Sequence, residues 1–238
     1  MHGISAVREY FQPPDVAGCR IWLRSDLGVR VSGITPVKVT NWENQIADFA
    51  AYATQSNSTN QPSRVAGVNG IPAIRFAGTQ WLLLSTVSAA FGARTIVIVL
   101  QLSSEPHTGY TAMVVTNGGG VAAMEMIFDL SGYQYNSFAA DQSGGNMSGF
   151  SDTLGTATPH AVVHTWNGAA FTGSLDGVTK SMVSSGAYGA VLASAIGARS
   201  DGTFPLNGDL YEIIYWNRVL SSLEQDMVRD YLKQRYGT

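Results

Sequence analysis

The chain is poor in charge. Asp, Glu, Lys and Arg make up 13% of its 238 residues, against roughly 25% in an ordinary soluble protein. Solubility must rest instead on Gly, Ser, Thr, Asn and Gln, which suits an exposed β-scaffold with polar loops. The formal charge is −3 and no cluster of Lys or Arg stands out. A nucleic-acid binder draws most of its affinity from a basic stripe that neutralises phosphates, so nucleic acid is not an expected partner. Cysteine is nearly absent: Cys19 stands alone, which excludes an internal disulfide framework. Long apolar runs are missing too. Stretches such as "TIVIVL" are far too short to span a bilayer, so no membrane insertion is expected. The opening "MHGISAVREYFQPP" has neither a basic n-region nor an apolar h-region and does not read as a secretory signal.

Hydrophobic residues make up 45% of the chain, enough for a sizeable core. A length of 238 residues suits a single all-β sandwich. Residues 4–11 read as one or two helical turns, with Ile4, Val7 and Phe11 on one face. Pro13 and Pro14 then stop the segment. This arm either packs on its own domain or docks another subunit. From residue 15 onward the pattern is β. "CRIWLRS" alternates, with Cys19, Ile21 and Leu23 set against Arg20, Trp22 and Arg24. "TIVIVLQL" (95–102) is apolar on both faces and rich in β-branched residues, as a fully covered central strand requires. "YTAMVVT" (110–116), "AAMEMIFDL" (122–130) and "YQYNSF" (133–138) are further strand candidates. "HAVVHTW", Asn167-Gly168, "AAFTGSL", Asp176-Gly177 and "VTKSMV" read as consecutive hairpins, because Asn-Gly and Asp-Gly supply the positive φ angles of tight turns.

Only the end is strongly helical. Ser221 is placed to cap a helix, with Glu224 three residues on as in a capping box. Leu223, Met227, Val228, Tyr231 and Leu232 then form the expected apolar face. No linker, low-complexity tract or fixed-period repeat divides the chain. The expected organisation is an arm over 1–14 and one domain over 15–238.

Several segments, in order, resemble the concanavalin A-like jelly rolls, in particular their laminin-G-like bacterial and phage branch. They are "PDVAGCRIWLRSD" (14–26), "VTNWENQ" (39–45), "ATQSNSTNQPSRV" (53–65), "NGIPAIRFAG" (69–78), "SLDGV" (174–178) and "PLNGDLYEIIYWNRVLSSLEQDMVRDYLKQRYG" (205–237). The resemblance implies an all-β fold: a two-sheet antiparallel jelly-roll sandwich with a short C-terminal helix. It does not imply one activity, because that superfamily holds sugar binders, adhesion modules, glucanases and virion parts. Function must therefore be argued from sites.

Glycoside hydrolysis needs two carboxyls about 5–5.5 Å apart for retention, or about 6.5–9.5 Å for inversion. Glu125 and Asp129 share a face if 122–130 is one regular strand, but stand about 13 Å apart at 3.3–3.4 Å per residue. Asp209 and Glu212, three apart, should point to opposite faces. Glu224, Asp226 and Asp230 read as the solvated side of the terminal helix. A pair drawn from different strands stays open, but the expectation is no enzyme. Cys19 reads as a buried, inert thiol, and no Gly-x-Ser-x-Gly elbow occurs. His160 and His164 have zinc-motif spacing, yet a strand separates them by about 13 Å.

Glu212 lies inside an apolar run, sharing a face with Leu210, Ile214 and Trp216 and opposite Asp209, Tyr211, Ile213 and Tyr215. A carboxylate there needs a cation or hydrogen-bond donors. Arg75, Arg199 and Arg218 are the candidate partners, in a structural ion pair. Recognition is expected on loops instead. The stretch 131–153 mixes Tyr, Asn, Ser, Gly and Asp as adaptable binding surfaces do. Tyr133 and Tyr135 are placed to stack on a sugar, with Asn136, Asp141 and Asn146 for its hydroxyls; the same stretch also reads as a solvated loop without a ligand. Asp141, Asn146 and Asp152 are weak calcium candidates, matching no dedicated calcium loop, and no other cofactor is expected.

These features point to a non-catalytic, surface-exposed structural or adhesion protein, with a glycan as a candidate ligand. The leading expectation is a component of the phage virion surface, as capsid decoration or tail accessory. Its partners would be other virion or cell-surface proteins, met through residues 4–11. The alternatives are a carbohydrate-binding module of an exported, extracellular bacterial protein, and a glycosidase.

Overall fold

The computed structural model describes residues 11–49, 51–85, 93–103, 110–115, 125–129, 134–136, 151–153, 155–167, 171–182, 194–198, 202 and 205–238. Pro13–Asp15 form a short 3-10 turn. The strands run in order: β1 (Cys19–Arg24), β2 (Val29–Ser32), β3 (Lys38–Glu43), β4 (Tyr52–Thr54), β5 (Ser63–Val65), β6 (Ala73–Ala77), β7 (Leu82–Leu84), β8 (Arg94–Leu102) and β9 (Tyr110–Val115). Then come β10 (Glu125–Asp129), β11 (Gln134–Asn136), β12 (Ser151–Thr153), β13 (His160–Trp166), β14 (Phe171–Leu175), β15 (Val178–Met182), β16 (Ser194–Ile196) and β17 (Asn207–Trp216). One helix, α1 (Ser222–Tyr236), closes the described chain.

Every pairing among the described strands is antiparallel, and the strands form two layers. β17 is the hub of the first. It pairs with β8 along one edge, and with β6 and then β1 along the other. β8 continues through β13 and β14 to β15. The second layer runs from β2 through β3, β4, β7, β16, β9, β10 and β11 to β12. β5 joins the two layers at one corner by pairing with both β3 and β6. This is an all-β antiparallel sandwich with a short C-terminal helix.

The pleat of β8 explains its composition. Ile96, Ile98, Leu100 and Leu102 point between the layers, against Trp42, Phe76, Leu82 and Ile196. Val97 and Val99 point the other way, towards Val228, Leu232 and Tyr236 of α1. With both faces covered, the strand reads as a continuous apolar run. Burying one such Leu or Ile contributes about 1.5–3 kcal/mol. Packing is close at Gly197, just past β16, where a Cβ would lie 2.2 Å from the Phe76 ring and φ is +86°. The hairpin at Asp176-Gly177 has positive φ at both residues, 49° and 81°, as its sequence demands. At the preceding hairpin Trp166 pairs with Phe171, so the connection after β13 is longer than a two-residue Asn-Gly turn.

In β1 and β17, register shifts break the alternation expected from the sequence. One lies between Cys19 and Ile21. Ile21 and Leu23 pack between the layers, whereas Cys19 packs with Trp22 on the helix side. The other lies between Leu210 and Glu212. A bulge places an extra residue on one strand and shifts the facing of the residues beyond it. Leu210 and Ile213 therefore face the inner core, while Tyr211, Ile214 and Trp216 face the helix. Tyr211 thus shares the face of Glu212, contrary to simple alternation, and Leu210 does not.

The capping box of α1 forms as its spacing predicts. Glu224 accepts from the Ser221 amide at 2.8 Å, and the Ser221 hydroxyl accepts from the Glu224 amide. The helix ends at Gly237 in the left-handed region, φ +82°. Its buried face is Val228, Leu232 and Tyr236, a strict i, i+4, i+8 stripe. Leu223 (70% exposed) and Met227 (38%) lie off that stripe, so the apolar face expected from the sequence is rotated. The helix is not long and apolar enough to cross a membrane.

Candidate functional site

Glu212 sits at the centre of β17 and is fully buried. Its carboxylate accepts from the Trp22 indole N–H, from the Tyr231 hydroxyl at 2.8 Å and from the Tyr236 hydroxyl at 2.6 Å. Arg235 Nε lies 3.6 Å from Oε2. Burial raises the Glu212 pKa, and the hydrogen bonds from Tyr236, Trp22 and Tyr231 pull against that rise. Burial and the neighbouring carboxylate in turn raise both tyrosines. Arg235 also grips Asp26, which accepts from Arg24 Nε at 3.1 Å and Nη2 at 2.8 Å. Burial favours the neutral form of Asp26, but the bonds from the two arginines outweigh it and hold its pKa below the usual carboxylate range. Four side chains from β1 and α1 thus converge on one strand carboxylate. The arrangement latches the helix to the sheet.

Of the three arginines expected beside Glu212, two have other partners. Arg75 makes a two-pronged pair with Asp209, at 2.8 and 2.7 Å. Arg218 makes one with Glu224, at 2.9 and 2.6 Å. The third, Arg199, lies outside the described residues. The cation beside Glu212 is Arg235. It escapes a search of similarly patterned strands because the layer that covers β17 here is a helix. The usable signal is Tyr231, Arg235 and Tyr236, which cluster within the last turns of α1.

The bulge also overturns the expected separation of Asp209 and Glu212. Both project to the helix side, since Leu210 between them faces the inner core. They are nonetheless held apart chemically: Asp209 by Arg75, Glu212 by its ring of aromatic donors. Glu224 is a capping and ion-pairing residue rather than a merely solvated one. Asp226 pairs with Arg229 at 2.8 Å on the exposed side. In β10 a register shift between Met126 and Ile127 removes the regular alternation on which a shared face for Glu125 and Asp129 depends.

Cys19 has its thiol pushed up to about 12, first by burial. His160 and His164 play separate parts. His160 Nδ1 lies 2.6 Å from Asp176 Oδ2, with Nε2 at 3.0 Å from the Gly155 carbonyl. His164 is buried, and burial with nearby Arg94 lowers its pKa to about 3. Among the described residues, no group of three or more His, Cys, Asp or Glu is placed to hold a metal ion.

Of the glycan candidates, Tyr135 and Asn136 lie on β11 and Asp152 on β12. Backbone register sets Tyr135 directly opposite Asp152, and Asn136 opposite Ser151. The two strands form the end of the second layer beyond β10. Tyr133, Asp141 and Asn146 lie outside the described residues, as do residues 4–10 of the arm.

No protein-family model and no curated protein matches the chain. Solved structures do. A Trypanosoma rangeli sialidase in complex with sialic acid matches with a TM-score of 0.63 at 17% identity, over 92% of this chain and 33% of that one. The receptor-binding domain of botulinum neurotoxin D matches with a TM-score of 0.62 at 8% identity, over 90% of this chain and 52% of that one. Domain 4 of AbnA, an extracellular GH43 arabinanase from Geobacillus stearothermophilus, in complex with arabinotriose, matches with a TM-score of 0.59 at 13% identity, over 90% of this chain and 97% of that one. The chain spans about a third of the length of the sialidases it matches. At such identities the likeness is one of fold: this chain is a β-sheet-rich sandwich similar to domains found in glycan-processing and receptor-binding proteins.

Proposed function

We propose that the chain is a non-catalytic sandwich module, on the concanavalin A-like or laminin-G-like plan, that recognises glycans at an exposed surface. The observation that carries this reading is the match of 90% of the chain to 97% of an arabinanase domain described in complex with arabinotriose. The correspondence is of whole module to whole module, not of a fragment to a large enzyme. A second support is chemical. Asp209, Asp26, Glu212 and Glu224 are each engaged by arginines or aromatic donors, which leaves these carboxylates committed to structure. The end of the second layer, where Tyr135 stands in register with Asp152, is the proposed sugar contact, continuing into Tyr133, Asn136, Asp141 and Asn146. Glycan-array binding by the full chain, lost on Tyr133→Ala or Tyr135→Ala, is the expected result. Binding to no glycan overturns the reading, and binding untouched by both substitutions overturns the contact at β11 and β12. Release of reducing sugar from a polysaccharide panel would instead restore a glycosidase. The narrower placement on a phage particle rests on the sequence reading alone. It predicts that the protein co-sediments with virions and leaves them only under dissociating conditions.

A further inference from the structure

We infer that the cleft between Phe11 and the last turns of α1 binds a neutral sugar unit. The inference rests on the glycan-binding reading but places a contact where β1 meets α1, separate from β11 and β12. The cleft has a volume of about 360 Å³ and is walled by Phe11, Gln12, Arg24, Tyr231, Gln234 and Arg235, with Trp22 behind them. That volume lies at the lower end of small-molecule pockets, roughly 300–1,000 Å³.

The chemistry of the walls selects the ligand. Phe11 and Tyr231 meet edge to face, with ring centroids 6.1 Å apart, and form an apolar corner that suits the C–H face of a sugar ring. The Arg24 guanidinium lies over the Trp22 ring at 5.0 Å and is locked by Asp26. Arg235 is held by Asp26 and by the Tyr236 hydroxyl at 3.0 Å. Both guanidiniums are therefore positioned before any ligand arrives, which lowers the ordering cost of binding. Gln12 and Gln234 are exposed at the rim, and their amides both donate and accept.

Charge decides against an anion. Asp26 opposes the two arginines at close range, and Glu212, when ionised, completes the balance from beneath. With both guanidiniums paired to Asp26, little net positive charge is left to attract an incoming carboxylate. A purely apolar ligand would strip water from the guanidiniums and return no hydrogen bonds. Hydroxyl groups, which donate and accept, match the mixed donors and acceptors of this wall.

The test is an NMR titration of the full chain with arabinotriose and, separately, maltotriose at millimolar concentration. Saturable shifts at Phe11, Tyr231 and Arg235 are expected. Gln234→Ala should weaken binding by about tenfold, the loss of one hydrogen bond, and Gln234→Trp should abolish it by filling the cleft. Gln234 is exposed, and unchanged β17 resonances verify that both variants fold. Shifts confined to β11 and β12 overturn the cleft while leaving the glycan reading intact. No saturable shift with either sugar, or undiminished affinity in Gln234→Trp, also overturns the cleft, and the glycan array judges the broader reading separately.

Discussion

The hydroxyl of Tyr236 donates to Glu212 Oε2 at 2.6 Å, tying the last residue of α1 to the middle of β17. The bond closes beneath a carboxylate that also receives Trp22 and Tyr231. Tyr236→Phe keeps the ring and removes only the donor. It is expected to cost about 1–3 kcal/mol, the range for leaving a buried acceptor without its donor, as read by urea denaturation. Glu212→Ala should cost more, about 3–5 kcal/mol, because it leaves the Trp22, Tyr231 and Tyr236 donors without their buried acceptor. If both variants unfold at the wild-type midpoint, the latch is not structural.

The His160–Asp176 pair gives the hairpin a pH dependence. The bond to Asp176 raises the His160 pKa, burial lowers it by less, and the Gly155 carbonyl adds to the rise. A histidine raised in the folded state stabilises fully below its unfolded value of about 6.5, and that contribution fades as pH rises through the folded value. The melting temperature should therefore fall from pH 6 towards pH 8 more steeply in wild type than in Asp176→Asn. Asn keeps the acceptor for the Ala161 amide, which Asp176 Oδ1 now engages at 2.8 Å, so a difference between the two reports the charge. Parallel pH profiles would refute the assignment.

Gly197→Ala tests the closeness of the two layers. Its Cβ would enter the Phe76 ring, and the backbone is already left-handed. Overpacking costs about 1–3 kcal/mol and the unfavourable φ adds about 1 kcal/mol. Gly78→Ala has a similar φ but nothing within 4 Å of its Cβ, and should show the backbone cost alone. Equal losses in the two variants would mean that Phe76 moves aside freely.

Cys19 should resist alkylation in the native state at pH 8, since its thiol is held near 12. Mass spectrometry after iodoacetamide, with and without denaturant, reads this directly. Rapid native labelling would show that β1 opens locally.

Chelation provides the test for calcium at Asp141, Asn146 and Asp152. The expected melting temperature is the same with and without EDTA, and a drop of several degrees would make those residues a structural site.

Local features are legible in the sequence. Asp176-Gly177 and the Ser221–Glu224 box carry their own geometry within a few residues, and both form as their spacing requires. The apolar run at 95–102 announces a strand covered on both faces because β-branched residues fill both parities. The bulges at Cys19 and Tyr211 are not legible, because a register shift belongs to a pair of strands and one strand shows only half of it. The Glu212 latch is half legible. An isolated carboxylate in an apolar strand demands partners, but Arg235 and Tyr236 come from a helix whose rotation depends on which stripe the sheet accepts. Leu223 and Met227 look equally suited to that stripe in the sequence, and lie outside it in the fold.

The position of β17 has a consequence for biosynthesis. The strand that lies between β8 and both β1 and β6 leaves the ribosome after all of them. At about 5–20 residues per second, β8 waits on the order of 5–20 seconds for its hub. Through that interval the edge of β8 that β17 will cover presents unpaired backbone N–H and C=O groups, the kind of edge at which a nascent β-protein is most open to mispairing.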